Sequence, residues 1–247
     1  MIRIEGVTVR FTADGAEAVT ALDDISLEVA EGETLCLIGG SGSGKTTCLR
    51  LINRLQEPTT GRVSLRGEDV AQLDPIRLRR SMGYVIQAGG LFPHLDVQDN
   101  IGLLCELEGW TAERTRARID ELLDLVRLPA VDFATRFPAE LSGGECQRVG
   151  VARALALDPP VVLLDEPFGA LDPITRDHLQ TEFMAWKSAV DKTIVMVSHD
   201  LREAFRLADR VALLQDGRLA QVGTADDFRD RPANAHVEEF MTRHAHA

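Results

Sequence analysis

The chain carries, at residues 39–46, the run Gly39-Gly40-Ser41-Gly42-Ser43-Gly44-Lys45-Thr46, which fits the phosphate-loop spacing G-x-x-x-x-G-K-[ST]. Residues 33–38 before it read as a short buried strand, and residues 47–55 after it have apolar side chains at helical spacing. A glycine-rich turn without a ligand is the alternative. Lysine and threonine in register between a strand and a helix favour the nucleotide loop, and with it an α/β P-loop NTPase fold.

Each part of this run has an expected task. The glycines let successive N–H groups point at phosphate oxygens with no side chain in the way. Lys45 is expected to contact the β- and γ-phosphates of ATP, and the Thr46 hydroxyl to ligate Mg²⁺. Residues 39–46, with Thr47 next in the helix, form the predicted ATP-binding loop.

A second anion site is predicted at Leu141-Ser142-Gly143-Gly144-Glu145, where a serine and two glycines open an amphipathic helix. The backbone N–H groups of that helix N-terminus and the Ser142 hydroxyl favour a bound anion. One chain then carries two separate half-sites for phosphate. This arrangement suits a dimer that closes over ATP.

An acidic pair, Asp165-Glu166, follows the apolar residues 161–164, which predict a strand buried on both faces. Such a strand presents its carboxylates at the edge where open α/β sheets bind ligands. Asp165 is expected to hold Mg²⁺, and Glu166 to orient or deprotonate the attacking water. A plain turn before Pro167 is the alternative, and the P-loop argues against it.

Two further polar residues end predicted strands. His199 follows residues 193–198 and could donate a hydrogen bond to the γ-phosphate, although a lone histidine is more often structural. Gln87 follows residues 83–86, and a glutamine at a strand end more often faces solvent.

The order of these motifs resembles that of the ATP-binding subunit of an ABC transporter, over essentially the whole chain. The resemblance implies an antiparallel β subdomain, a helical signature lobe and an ATPase that uses ATP and Mg²⁺. It implies catalytic roles for Glu166, His199, Gln87 and Lys45, with Gln87 also a Mg²⁺ ligand beside Thr46 and Asp165. The other nucleotide-contacting positions that it implies are Phe11, which stacks on adenine, residues 39–47, residues 142–145 and Asp172.

Several segments are similar to the quaternary-amine uptake branch of that family, namely residues 51–59, 83–87, 90–94, 165–176 and 231–234. This similarity implies import of glycine betaine, choline, carnitine, proline or a related osmoprotectant. Import of another solute (an amino acid, phosphonate or lipid) and a soluble ABC-type ATPase are the alternatives. No residue of such a subunit touches the transported solute, so the sequence leaves the solute open.

The resemblance also implies partners: a second copy of the chain in a head-to-tail ATP sandwich, a membrane permease and, indirectly, a solute-binding protein. Leu91 and Phe92 lie in a Gly-Pro loop where apolar side chains favour an interface with the permease. The alternative is that Phe92 packs under its own loop.

Composition restricts the other possibilities. The net charge of −12 argues against a nucleic-acid groove, and the arginines at 77, 79 and 80 and at 114, 116 and 118 are expected on solvated helix faces. No run is long enough to cross a bilayer and no leader opens the sequence, so any membrane association is expected to come from a partner. The family resemblance implies a peripheral position on the cytoplasmic face of the membrane. No length remains after Phe240 for C-terminal regulatory modules, so gating by such modules is not expected.

A single domain of two lobes is predicted. Residues 1–87 and 159–224 form the nucleotide-binding core, with antiparallel strands around a turn at Asp14-Gly15, and residues 88–158 form the helical lobe. Residues 225–247 form a tail of short helices. The four cysteines have no metal-like spacing and are expected to be reduced; Cys48 is either a redox-sensitive thiol in the first helical turn or an apolar filler.

Overall fold

The structure is a computed structural model that describes residues 1–12, 18–86, 90–169 and 171–245. Its strands are β1 (Ile2–Phe11), β2 (Val19–Val29), β3 (Thr34–Ile38), β4 (Thr60–Leu65), β5 (Glu68–Asp69), β6 (Met82–Val85), β7 (Val161–Asp165), β8 (Thr193–Val197), β9 (Arg210–Gln215) and β10 (Arg218–Gly223). Its helices are α1 (Lys45–Ile52), α2 (Pro75–Arg80), α3 (Val97–Leu107), α4 (Ala112–Leu125), α5 (Ala130–Phe133), α6 (Gly143–Ala154), α7 (Pro173–Ala189), α8 (Leu201–Leu207), α9 (Ala225–Asp230) and α10 (Ala235–Ala245).

The chain divides into two compact units. The first unit contains residues 1–79 and 193–247, and the second contains residues 80–192. The lobe boundaries predicted from the sequence, at 87/88 and 158/159, stay a prediction.

Two sheets form the first unit. One is antiparallel, in the order β2-β1-β4-β5. In the other, β3 pairs in parallel with both β8 and β9, and β10 pairs antiparallel with β9. All five residues of β3 and all five of β8 are buried, as expected for central parallel strands that are covered on both faces.

The second unit combines one parallel strand pair with a group of helices. Strands β6 and β7 pair in parallel, with Tyr84 opposite Leu163. Helix α6 packs against β6 and against α3, α4 and α7. At Gly83 this packing is close: a Cβ there would lie 2.5 Å from the carbonyl oxygen of Ala154, so only glycine lets the end of α6 approach the strand.

Most predicted elements are present with small shifts at their ends. The predicted helix over 97–107 matches α3, whereas the predicted 112–128 ends at Leu125, because Arg127 takes a left-handed φ of 56°. The helix predicted over 47–55 begins two residues earlier, at Lys45, and ends at Ile52. Two residues after this end, Arg54 takes a left-handed φ of 55°. The predicted turn at Asp14-Gly15 and the strand end at Gln87 lie outside the described residues.

The prediction that the arginines lie on solvated helix faces is wrong for Arg118. Its side chain is only 17% exposed, and its guanidinium donates hydrogen bonds to the carbonyl oxygens of Ala156 (3.1 Å) and Leu155 (2.8 Å). These carbonyls follow the last turn of α6, where a helix has no further N–H groups to offer and a cation is favoured. Sequence spacing placed Arg118 on α4 but could not show which helix end lies beside it.

We expect Arg118→Met to lower the free energy of unfolding by roughly 1–3 kcal/mol, because it removes two hydrogen bonds from a largely buried guanidinium to carbonyls at a helix end. The measurement is urea unfolding followed by circular dichroism. Arg116→Met, an exposed position on the same helix, is the matched control and should change stability by less than about 0.5 kcal/mol. Equal losses of stability in Arg118→Met and Arg116→Met would contradict the assignment of Arg118 as a hydrogen-bond donor at the end of α6.

Candidate nucleotide site

The glycine-rich loop of the first unit runs from the end of β3 to the start of α1, as predicted. Gly39, Gly42 and Gly44 have φ angles of 145°, 75° and 98°, which side-chain-bearing residues rarely adopt. A Cβ on Gly39 would lie 2.1 Å from the carbonyl oxygen of Leu214, whereas a Cβ on Gly42 would meet nothing within 4 Å. The loop is therefore packed against β9 on one side and open on the other.

Lys45 lies inside this loop. Its ammonium donates hydrogen bonds to the carbonyl oxygens of Gly39 (2.9 Å) and Gly40 (2.8 Å), and the residue is only 7% exposed. Thr46 and Thr47, in the first turn of α1, are half-buried. The lysine charge is thus fixed at the N-terminus of α1, where the helix dipole also favours an anion.

Ser43 supplies a second sign of an anion site. Its hydroxyl oxygen is buried and has no hydrogen-bond partner among the residues that the structure describes. A buried hydroxyl without a partner is costly, and a phosphate oxygen is a strong acceptor. The loop therefore fits a phosphate group by its backbone shape, by its buried cation and by this donor.

His199 lies on the same cavity as the loop. The cavity has a volume of about 500 Å³, and its lining includes residues 39–43, His199, residues 213–216 and three side chains of α10, those of His236, Phe240 and Arg243. Strands β3 and β8 bring His199 there, since Ser198 donates its backbone N–H to the carbonyl oxygen of Leu37 at 3.0 Å. The predicted contact of His199 with a γ-phosphate stays a prediction.

Phe11 ends β1, opposite Val19 of β2. Its ring is 45% exposed, although an aromatic side chain usually buries more of its surface in a fold of this size. Strand β2 also reaches the loop, because a Cβ on Gly44 would lie 2.6 Å from the carbonyl oxygen of Ala21. An exposed ring is available for stacking on a base, and this role stays a prediction.

The acidic pair belongs to the second unit. Asp165 ends β7 and is 7% exposed; the Tyr84 hydroxyl donates a hydrogen bond to its Oδ2 at 3.3 Å. Glu166 has a left-handed φ of 47°, a conformation that costs energy in residues other than glycine and that is frequent at functional sites. Its carbonyl oxygen accepts the N–H of Gly169 at 3.2 Å, which closes the turn after the strand.

The predicted second anion site is the N-terminus of α6. Ser142 caps this helix: its hydroxyl accepts the N–H of Glu145 at 3.3 Å, and the Glu145 carboxylate accepts the N–H of Ser142 at 2.7 Å. The hydrogen bonds from Ser142 lower the pKa of Glu145. The N–H groups of Gly143 and Gly144 begin the helix, where no intrahelical acceptor exists, so they can face an anion.

Two predicted nucleotide-contacting carboxylates thus also stabilise helices. Glu145 closes the capping box of α6, and Asp172 caps α7 by accepting the N–H groups of Ile174 and Thr175, both at 3.1 Å. The hydrogen bonds with Thr175 lower the pKa of Asp172. Contacts of either carboxylate with a nucleotide stay predictions, as does the role of Gln87, which lies outside the described residues.

The loop predicted to face a permease is anchored from within the second unit. Arg153, near the end of α6, donates a hydrogen bond to the carbonyl oxygen of Gly90 at 3.0 Å, and its guanidinium lies 5.6 Å from the centre of the Phe92 ring. The Phe92 ring is nevertheless 42% exposed. One side of the ring packs on its own unit, as one sequence alternative expected, and the interface with a permease stays a prediction.

The cysteines are unpaired thiols. Burial raises the pKa of Cys48 to about 12, although the first turn of a helix would by itself lower it. Burial also raises the pKa of Cys36, Cys105 and Cys146. Cys48 is therefore an apolar filler, and the alternative of a redox-sensitive thiol is not supported.

Comparison with known proteins identifies the family. The family model described as ABC transporter matches residues 22–169. The chain belongs to the ABC transporter family. It is 50% identical over 241 residues to the glycine betaine/carnitine/choline transport ATP-binding protein OpuCA of Bacillus subtilis (strain 168), covering 98% of this chain and 62% of that protein. It is 51% identical over 221 residues to the choline transport ATP-binding protein OpuBA of the same strain, covering 90% and 58%.

A solved structure supports the fold. The ATP-binding cassette MJ0796, in a dimeric post-hydrolysis state bound to ADP and Pi, superposes with a TM-score of 0.81 at 34% identity, covering 91% of this chain and 98% of that one. The predicted ABC-type fold and the predicted resemblance to the quaternary-amine branch are both confirmed. The chain spans about three-fifths of the length of the curated relatives named above.

Sequence reasoning missed some residues of this ABC ATPase fold. Tyr84 and Arg153 were not singled out, because their importance comes from contacts with Asp165 and with the loop at 90–92 that no local motif encodes. The parallel pairing of β6 with β7, which the structure shows, is what places Tyr84 near Asp165.

Within the described part of the chain, no helix has the length and apolar character needed to span a membrane. The same residues contain no group of three or more His, Cys, Asp or Glu side chains that could hold a metal ion. A Mg²⁺ ion does not need such a group, because it commonly binds through one or two protein oxygens, substrate phosphates and water. The Thr46 hydroxyl and the buried Asp165 carboxylate are oxygen donors of the kind that Mg²⁺ prefers.

We expect Lys45→Ala to weaken ATP binding by about tenfold to a hundredfold, because it removes the buried cation from the phosphate loop. The measurement is equilibrium dialysis with labelled ATP. Lys187→Ala, a change of the same charge on α7, is the matched control and should leave the affinity unchanged. Equal ATP affinity in Lys45→Ala and the wild-type chain would contradict the assignment of the loop.

Proposed function

We propose that this chain hydrolyses ATP to drive import of a small solute through a membrane permease. The solute is an osmoprotectant, either a quaternary amine such as glycine betaine, choline or carnitine, or the related solute proline. The observation that carries the proposal is similarity along nearly the whole chain to OpuCA, which is named for transport of such solutes, in a fold that keeps the phosphate loop and His199 on one cavity.

Binding of ATP relies on the first unit. The N–H groups of residues 39–44 and the Lys45 ammonium surround the phosphates, and the exposed ring of Phe11 stacks on adenine. Thr46, Asp165 and Gln87 supply oxygen ligands for Mg²⁺. When bound, Mg²⁺ neutralises charge on the β- and γ-phosphates.

Hydrolysis relies on a general base and a hydrogen-bond donor. Glu166 accepts a proton from the attacking water, so that hydroxide character develops on the water as the bond to the leaving ADP breaks. His199 donates a hydrogen bond to the γ-phosphate and so distinguishes ATP from ADP. The left-handed backbone of Glu166 supports this assignment, because such strain is retained where a side chain must point in one particular direction.

Two copies of the chain complete the site. The phosphate loop of each copy faces Ser142, Gly143 and Gly144 of the other, so that ATP joins the two copies and hydrolysis releases them. The dimeric state described for MJ0796 supports this arrangement. The permease binds the loop that contains Leu91 and Phe92, which holds the chain at the cytoplasmic face of the membrane, and a solute-binding protein acts through the permease.

We expect Glu166→Gln to keep ATP affinity within about twofold and to lower turnover by about a hundredfold or more, because the amide cannot accept the proton. Cells that carry this allele should lose uptake of radiolabelled glycine betaine, choline or carnitine. Phosphate release and uptake assays check the two parts separately. Full turnover in the variant would remove Glu166 from the role of base, whereas lost turnover with normal uptake of all candidate solutes would redirect the solute assignment.

We expect Ser142→Arg to leave ATP binding by the single chain unchanged and to abolish ATP-dependent dimer formation, because the long side chain fills the space for the γ-phosphate of the other copy. Analytical ultracentrifugation in the Glu166→Gln background measures the dimer. The substitution also removes a helix cap worth about 1 kcal/mol. Thr224→Ala removes the similar capping box of α9 and is the matched control, which should still dimerise. A dimer of normal stability in Ser142→Arg would refute the two-half-site arrangement.

A further inference from the structure

Tyr84 is the single tyrosine of the chain and lies in β6, beside the strand that ends at Asp165. In the parallel register Tyr84 lies opposite Leu163, and Asp165 follows two residues later, so the side chains of Tyr84 and Asp165 project on the same face. The phenol oxygen reaches Oδ2 of Asp165 at 3.3 Å. The contact therefore follows from the register of two strands.

This contact places a hydroxyl donor on a buried carboxylate. Asp165 is 7% exposed, and a carboxylate taken out of water needs hydrogen-bond donors. The distance is at the long end of the hydrogen-bond range, so a modest effect is expected from removing this bond. The Tyr84 hydroxyl therefore fixes the Oδ2 side of the carboxylate that ends β7.

We infer that Tyr84 is a positioning residue for Mg²⁺: its hydroxyl fixes the orientation of the Asp165 carboxylate, the group that would hold the ion or its water. The inference rests on the proposed function, because Asp165 is a Mg²⁺ ligand only if the chain binds Mg·ATP. In this role Tyr84 acts through Asp165 and is not itself a ligand of the ion.

The first test compares ATP binding with Mg²⁺ and with EDTA in the non-hydrolysing Glu166→Gln background. The ratio of the ATP affinity with Mg²⁺ to the ATP affinity in EDTA measures how much the metal contributes to ATP binding. Tyr84→Phe should reduce this ratio roughly three- to tenfold, as expected for loss of one hydrogen bond, and should leave the affinity measured in EDTA unchanged. An unchanged ratio would overturn the inference, and so would a starting protein whose affinity does not respond to Mg²⁺.

Val162→Ala is the matched control for this test. Val162 is a fully buried residue of β7 on the face opposite Leu163 and Asp165, so its truncation destabilises the same strand without touching the hydrogen bond. It should lower the unfolding temperature and leave the Mg²⁺ ratio unchanged. If Val162→Ala reduced the Mg²⁺ ratio as much as Tyr84→Phe does, the effect would come from general destabilisation of β7. That result would overturn the positioning role of Tyr84.

The second test uses the single tyrosine as a probe. The chain labelled with 3-fluorotyrosine should give one ¹⁹F resonance, and Asp165→Asn should shift it in the absence of nucleotide. Adding Mg²⁺ to the ATP-bound chain should shift it again in the Glu166→Gln background but not when Asp165→Asn is added. A resonance insensitive to Asp165→Asn would overturn the contact. Because the nucleotide-free comparison needs no ATP, it also separates failure of this contact from failure of the proposed function.

Discussion

Parallel pairing of buried strands is the constraint on which the site depends. Each strand of a parallel pair ends at the same edge of the sheet, so polar residues that follow the strands meet there. In the first unit, the bond from Ser198 to Leu37 places His199 on the cavity of the phosphate loop. In the second unit, the pairing of β6 with β7 brings the Tyr84 hydroxyl to Asp165. One register rule therefore explains both contacts.

Helix N-termini provide the second principle of the site. Helix α1 begins at Lys45, and α6 begins after Ser142, so both predicted phosphate contacts lie where N–H groups have no intrahelical acceptor. At α6 the Glu145 carboxylate accepts the N–H of Ser142 and leaves the N–H groups of Gly143 and Gly144 for an anion. The Glu145 carboxylate thus caps its own helix, which explains why a negative side chain is present beside a predicted phosphate site.

The sequence alone predicted the parts of the site that local motifs encode. Glycine spacing, a lysine in register and a four-residue apolar strand before Asp165 each have a local physical cause, and the elements that carry them were found within a few residues. Contacts between distant segments were not predictable in this way. Arg118 and Arg116 have similar neighbours in the sequence, yet Arg118 donates to carbonyls at the end of α6 while Arg116 is exposed. Only the packing of α4 on α6 distinguishes the two arginines.

The same limit applies to the transported solute, which no local motif of this chain specifies. OpuCA and OpuBA are 50% and 51% identical to it, yet their names specify different sets of solutes, so similarity at this level does not fix the solute. In the proposed function, coupling to a permease needs a firm connection between α6 and the loop at 90–92. Arg153 provides one, because its hydrogen bond to Gly90 and its position over the Phe92 ring join the end of α6 to that loop. In the proposed function this connection links α6 to the exposed part of the Phe92 ring, which is available to a partner.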